Sequence, residues 1–306
     1  MRKFKTSVIT DEIDQDFKTA CDLACEFSLD AVEIRSVYER GPFELTDDDL
    51  RRMKEILAKN GLKVSAISSP FFKCGMDDND EIKTHLDGLR RCMIIADELD
   101  TNLIRGFTFW AKPGGSVSDG FDPKAIASMF NEAVAILEYT GKVLVLESDP
   151  SVKASNARTL SQVIEAVNSP FVRGLWDPGN DLWDPAGEIP FPDGYSFIKP
   201  CIAHVHLKDG IKKEGKAEGA PVGSGGVDWE GQFRALIADG YSGYVSLETH
   251  YRHTGKIPEG LIAMPKGAAF SCGGYEATRE SLVLWKEMLD RIDNKTTKHW
   301  DFYSEH

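Results

Sequence analysis

Eight short apolar runs recur from one end of this chain to the other, and a helical stretch or a structured connection follows each. The runs occupy 4–10, 31–35, 62–67, 102–107, 143–147, 172–177, 201–207 and 244–248. Between them, apolar residues at helical spacing predict helices over 17–27, 81–99 and 155–167, and a last one over 277–292. Thr46, followed by Asp47, Asp48 and Asp49, reads as an N-cap with an acidic first turn, and Gly61 as the stop of that helix. Pro123 starts a helix that Gly141 ends. Strands that alternate strictly with helices pair in parallel. With no linker-like break in 306 residues, the pattern predicts an α/β chain forming a single (β/α)8 TIM barrel over 1–293, with 294–306 as a C-terminal tail or arm. A doubly wound open sheet is the alternative, but the Gly-rich nucleotide fingerprint it would use is missing after the first run.

Chemistry gathers where the runs end. Val-Leu-Val-Leu leads into Glu147, the sixth run ends in Asp177, the seventh carries His204 and His206, and the eighth ends in Glu248. In a barrel these ends share one rim, where active sites sit. Neighbouring strands lie about 4.8 Å apart, so four consecutive ends can converge on one ion. Glu147, Asp177, His206 and Glu248 are therefore the candidate metal ligands. Three carboxylates and an imidazole make a hard site, for which Mn²⁺ is the first expectation, with Mg²⁺, Co²⁺, Zn²⁺ and Fe²⁺ as alternatives. A single carboxylate after an apolar strand is commonly just the first polar loop residue; four at matching positions are not so easily dismissed. His204 shares the face of His206, two residues along a strand, and Lys208 points to the rim. Between 210 and 226 the chain is polar and Gly-rich, which predicts a mobile loop.

The remaining features set limits. A net charge of −13 repels a phosphate backbone and argues against nucleic-acid binding. No window approaches the roughly 18 apolar residues of a membrane span, and the first residues carry no secretory h-region. The six cysteines are scattered without a CxxC pair, as in a reduced, cytoplasmic protein.

The segments VITDEI, VEIRS, ISSPFF, VLVLES, LWDPGN, HVHLKD and GYVSLETH resemble, in order, the xylose-isomerase-like barrel superfamily of sugar-phosphate isomerases, epimerases and apurinic endonucleases. The resemblance implies the same ligand set, Glu147, Asp177, His206 and Glu248, with the two glutamates exchanging protons with a substrate carbon. Two positions depart from the family pattern. Asn180 stands where many relatives have a histidine, and Lys208-Asp209 where ketose epimerases have an arginine. The nuclease branch needs more histidines than the seven present.

Such a site suits a metal-dependent isomerase or epimerase that acts on a keto-sugar or cyclitol through a metal-stabilised enediolate. The alternative is a lyase on a 3-oxo-sugar or keto-inositol, either a dehydratase or a C-glycoside deglycosidase. A non-catalytic sugar-binding or scaffold protein is a third reading. Glu147, Glu248, Lys208 and His204 are the candidate catalytic groups, and Glu33, Arg35, Trp110, Asn180, His250 and Arg252 the candidate substrate-binding groups. Phe71, Phe72, Trp176 and Trp183 join Trp110 as an apolar wall or else pack in the core. The expected partner is a carbohydrate or glycoside. The aromatic tail (Trp300, Phe302, Tyr303) points to a homo-oligomer, and the long 249–275 segment leaves room for a bulky aglycone or a partner subunit.

Overall fold

The computed structural model describes residues 3–111, 121–184, 186–213 and 216–301. Eight parallel strands form one sheet: β1 (Lys5–Val8), β2 (Ala31–Ile34), β3 (Lys63–Phe71), β4 (Leu103–Gly106), β5 (Val143–Glu147), β6 (Val172–Trp176), β7 (Ile202–Leu207) and β10 (Tyr244–Leu247). Their order is β1-β10-β7-β6-β5-β4-β3-β2. A parallel bridge between Ile9 and Glu33 joins β1 to β2 and closes the ring. This is the expected (β/α)8 barrel.

The helix ends are set by local chemistry. Thr46 and Asp49 form a reciprocal capping box at the start of Asp47–Asn60, and Gly61 ends that helix at φ 66°. Asp122 caps the helix that Pro123 opens. The predicted helix over 123–140 is two helices, Pro123–Ser128 and Asn131–Thr140. The break lies at Phe130, which is fully buried and packs edge-on against Phe72 at 5.1 Å between ring centres.

Three further differences bear on the rim. β3 runs past the predicted end at 67, through Pro70 to Phe71; its pairing with β4 shifts register there, which frees the ladder from needing an N–H at the proline. The segment predicted as a mobile loop contains a hairpin, β8 (Gly210–Lys213) and β9 (Lys216–Gly219). Asp209 fastens this region, accepting hydrogen bonds from the backbone N–H groups of Gly210, Gly223, Gly225 and Val227. The last helix, Gly274–Asp301, continues beyond the predicted end at 292, so the backbone of the expected tail is helical as far as 301. Phe302, Tyr303 and the Gly/Ser-rich stretch 112–120 lie outside the described residues.

All six cysteines are free. No helix among the described residues is long and apolar enough to cross a membrane.

Candidate metal centre and substrate pocket

The barrel interior is polar along its axis. Glu33 of β2 and His204 and His206 of β7 are fully buried inside the ring. His204 Nε2 lies 2.7 Å from Glu33 Oε2, and His206 Nε2 lies 2.9 Å from Glu33 Oε1. Ser68 also donates to Glu33 Oε1. Burial alone would push the Glu33 carboxyl up, but the two imidazoles hold it well below the usual carboxylate range. A carboxylate at Nε2 takes the N–H of the neutral His206 ring, and in that form Nδ1 would turn its lone pair toward the rim.

That Nδ1 is buried and has no hydrogen-bond partner. Around it stand Glu248 Oε2 at 3.2 Å and Glu147 Oε1 at 3.6 Å. With Asp177 they form a group whose ligand atoms all lie within 4.8 Å of one another. Adjacent oxygen or nitrogen ligands on an ion with bonds of about 2.1 Å stand about 3 Å apart, so the spacing suits a single small divalent cation. The electrostatics point the same way. Burial opposes charge on His206, yet Glu33, Glu147 and Glu248 raise its pKa well above the ordinary value. Asp177 is pushed up to about 7 by burial, against the pull of Lys208 and with the repulsion of Glu248 and Glu147. Lys208, Arg105 and Arg35 pair with these carboxylates, and the donor set of three carboxylates and an imidazole is one that could hold a hard divalent cation.

Local sequence places each group. Asp177 caps the short helix Pro178–Leu182, accepting from the N–H groups of Gly179 and Asn180 through Oδ1. Its Oδ2 is left facing the Lys208 ammonium at 2.7 Å. Gly179 lets the lysine stem pass, since a Cβ there would lie 2.9 Å from Lys208 Cβ. Lys208 also reaches Glu248 Oε2 at 3.1 Å and is only 3 % exposed. Asn180 donates to Glu147 Oε1 at 2.9 Å and to the Ser148 carbonyl at 3.0 Å.

The other predicted residues divide between the centre and its supports. Glu33 lies beneath the histidines, and Arg35 behind Glu248. The Arg35 guanidinium bonds Glu248 Oε1 at 2.5 Å and Glu12 Oε1 at 2.7 Å, and lies 3.0 Å from Asp11 Oδ1. His250 stands with φ 46°. Glu12 holds it there, taking the backbone N–H at 3.1 Å and facing ring Nδ1 at 3.0 Å. Its other nitrogen faces the Ile262 carbonyl at 3.4 Å. Burial disfavours charge on this ring, but Glu248 and Glu12 raise its pKa. Arg252 is spent on the carbonyls of Tyr251, Phe270 and Cys272. His204 touches Glu33 and stacks edge-on with His206.

A cavity of about 240 Å³ opens over the ligand group, walled by Arg105, Phe107, Trp183, Lys208, His250 and Ile262 among others. Trp110 is absent from this lining; it borders a separate open hollow with Met76 and Lys153. Phe71, Phe72 and Trp176 are fully buried; Phe71 stacks on Phe72, which stacks in turn on Phe109. The aromatic wall is therefore Phe107 and Trp183. Three groups of the centre escaped sequence reading. Arg105 donates to Glu147 Oε2 at 3.1 Å. Lys73 reaches Asp149 Oδ2 at 2.9 Å and the Ala263 carbonyl at 2.7 Å. Glu12 orders His250. Arg105 sits inside an apolar run, which was the available signal: a charge in a buried strand needs a partner.

The xylose isomerase-like TIM barrel family model matches residues 21–270. The chain belongs to that family. Among solved structures, the family member is similar to a D-tagatose 3-epimerase-like protein, with 19% identity and a TM-score of 0.73 over 96% of this chain and 100% of that one. It is also similar to the 3-keto-D-glucoside 4-epimerase of E. coli, with 18% identity and a TM-score of 0.67 over 93% and 100% of the two chains. A third is the "probable 3-DHS dehydratase" of Bacillus anthracis, with 17% identity and a TM-score of 0.65 over 80% and 92%. Likeness at these identities speaks to the fold alone. No curated protein sequence matches this chain.

Proposed function

We propose that this family member is a divalent-metal-dependent isomerase or epimerase that moves a proton at a carbon beside the carbonyl of a keto-sugar. The observation that carries the reading is the convergence of Glu147, Asp177 and Glu248 on the unpartnered Nδ1 of His206 at the floor of a pocket. Epimerases among the structural neighbours support the choice of reaction class. Glu147, Asp177, His206 and Glu248 would hold the cation, Mn²⁺ by preference. A bound cation supplies Lewis-acid stabilisation of the negative charge that proton removal leaves on substrate oxygen.

The chain's own groups do the rest. Glu147 and Glu248 each take or return a proton at the reacting carbon. Both carboxyls are held ionised: burial raises them, but Arg105 and His206 lower Glu147, and Lys208 and His250 lower Glu248. The Lys208 ammonium donates to a substrate oxygen, and Phe107 and Trp183 pack on the sugar ring and exclude water.

The test is a panel of keto-sugars with added Mn²⁺, followed by NMR in D₂O. Deuterium entering at one carbon without loss of mass is the expected result, and Glu248→Gln loses both the metal and at least about 10²-fold of the rate. Release of water or of an aglycone would assign elimination instead. Activity untouched by EDTA would refute the metal-dependent reading.

A further inference from the structure

The connection after β10 crosses the rim between two glycines, Gly255 at φ 80° and Gly267 at φ 77°. Both lie in the left-handed region, which strains other residues and suits glycine. Between them is the short helix Glu259–Ala263. Ile262, Ala263 and Pro265 line the cavity over the ligand group. Ala263, Met264, Pro265 and Lys266 line a second cavity of about 240 Å³ beside it. Although the segment walls both cavities, no described residue from His253 to Lys266 is buried. Ile262 and Met264 are 47 % and 41 % exposed. Lys256 pairs with Glu218 and Lys266 with Glu44, but these side chains are exposed, and such pairs contribute little.

Two contacts reach inward. His250 Nε2 lies 3.4 Å from the Ile262 carbonyl, and the Lys73 ammonium, just beyond β3, donates to the Ala263 carbonyl at 2.7 Å. Lys73 is itself buried. Its ammonium lies 2.9 Å from Asp149 Oδ2 and 4.2 Å from the centre of the Phe107 ring. The barrel thus fixes the lysine, and the lysine grips the segment through a charge-assisted hydrogen bond, stronger than a neutral one.

We propose that residues 256–266 are a lid over the site, turning at Gly255 and Gly267, and that Lys73 is the latch that holds it shut. Opening breaks the Lys73 hydrogen bond, the His250 contact and the surface pairs. It pulls no buried side chain of the segment out of the core, so the lid moves while the barrel stays folded. With the lid away, the walls that Ala263 and Pro265 give to both cavities are gone, and the two become one open cleft. This goes beyond the proposed reaction, since it governs access for whatever ligand the centre takes. Lys73 is a positioning residue that acts through the lid.

The experiment is limited proteolysis with trypsin, which cuts after Lys256 and Lys266, read by mass spectrometry beside hydrogen exchange. Lys73→Met keeps the apolar stem and removes the donor. Both bonds should be cut slowly in the unaltered protein and at least about tenfold faster in Lys73→Met, the gain in open population on losing one charge-assisted hydrogen bond. Exchange in β3, β4 and β5 should not change. Phe107 is 1 % exposed and lines the cavity beneath the lid, so Phe107→Cys places a thiol there. Its alkylation by iodoacetamide, resolved by peptide from the six native thiols, should accelerate with cleavage when Lys73→Met is added. Faster cleavage without faster alkylation would show a loop that moves and covers nothing, and would overturn the lid. Equal cleavage with and without Lys73 overturns the latch. If Lys73→Met loses protection throughout the barrel, Gly255→Ala decides. A Cβ at Gly255 meets nothing within 4 Å, so only backbone strain acts on the closed form. Cleavage should then rise at least about fivefold, and an unchanged rate overturns the proposal.

Discussion

Replacing Glu33 with glutamine tests how this barrel prepares its candidate ligand histidine, His206. Glu33 gives one oxygen to His204 Nε2 at 2.7 Å and the other to His206 Nε2 at 2.9 Å. Both are hydrogen bonds to a buried carboxylate, worth about 1.5–3 kcal/mol each. An amide has one oxygen only. Ser68 donates to the same atom as His206, so the oxygen of the glutamine will stay on that side and the NH₂ will face His204. His204 must then move its proton to Nδ1, which is buried and has no hydrogen-bond partner. His206 keeps its orientation but loses the negative charge that makes its Nδ1 a better donor. Loss of such an outer partner costs about 10–100-fold in metal affinity, or about 1.4–2.7 kcal/mol. Titration of the metal-free protein with Mn²⁺ reads this directly, beside Glu147→Gln as a variant that lacks a ligand. Glu33→Gln should fall between the unaltered protein and Glu147→Gln. Binding within threefold of the unaltered protein would show that the negative charge of Glu33 does not prepare His206.

Two other substitutions probe the supports. Arg35→Met leaves Asp11, Glu12 and Glu248 buried without their shared counter-charge, a loss of about 3–5 kcal/mol that should appear as a lower urea midpoint. An unchanged midpoint would show that these carboxyls are not ionised together. Asp181 concerns pH. Burial and the facing Glu188 push its carboxyl from 3.8 up to about 10. The folded protein then holds a proton that the unfolded chain has released, so this contribution is complete below about pH 4 and is lost as pH rises toward 10. Asp181→Asn carries a permanently neutral group in the same place. Its stability relative to the unaltered protein should increase between pH 5 and 9, by at most about 1.4 kcal/mol per unit, and a gap independent of pH would refute the assignment.

The rhythm of the chain determined the barrel, because only a parallel sheet with returning helices buries eight apolar runs in this order. It also determined which residues meet at the rim. Once the strands are parallel neighbours, Glu147, Asp177, His206 and Glu248 fall together without any knowledge of loops. Caps were legible for the same reason: Thr46, Gly61 and Pro123 act on their own helix and need no distant partner. The supporting residues were not legible. Sequence shows that Glu33 and Arg35 end a strand but not what lies across the barrel from them: the two histidines for Glu33, and Asp11, Glu12 and Glu248 for Arg35. Arg105 and Lys73 reach groups 42 and 190 residues away, respectively. The Lys208-Asp209 pair was read as one departure from the family pattern, yet it serves two ends: Lys208 points into the centre and Asp209 turns away to fasten the hairpin. Sequence period assigns side chains to a face; tertiary structure alone decides which charges share that face, and buried charges take their roles from their partners.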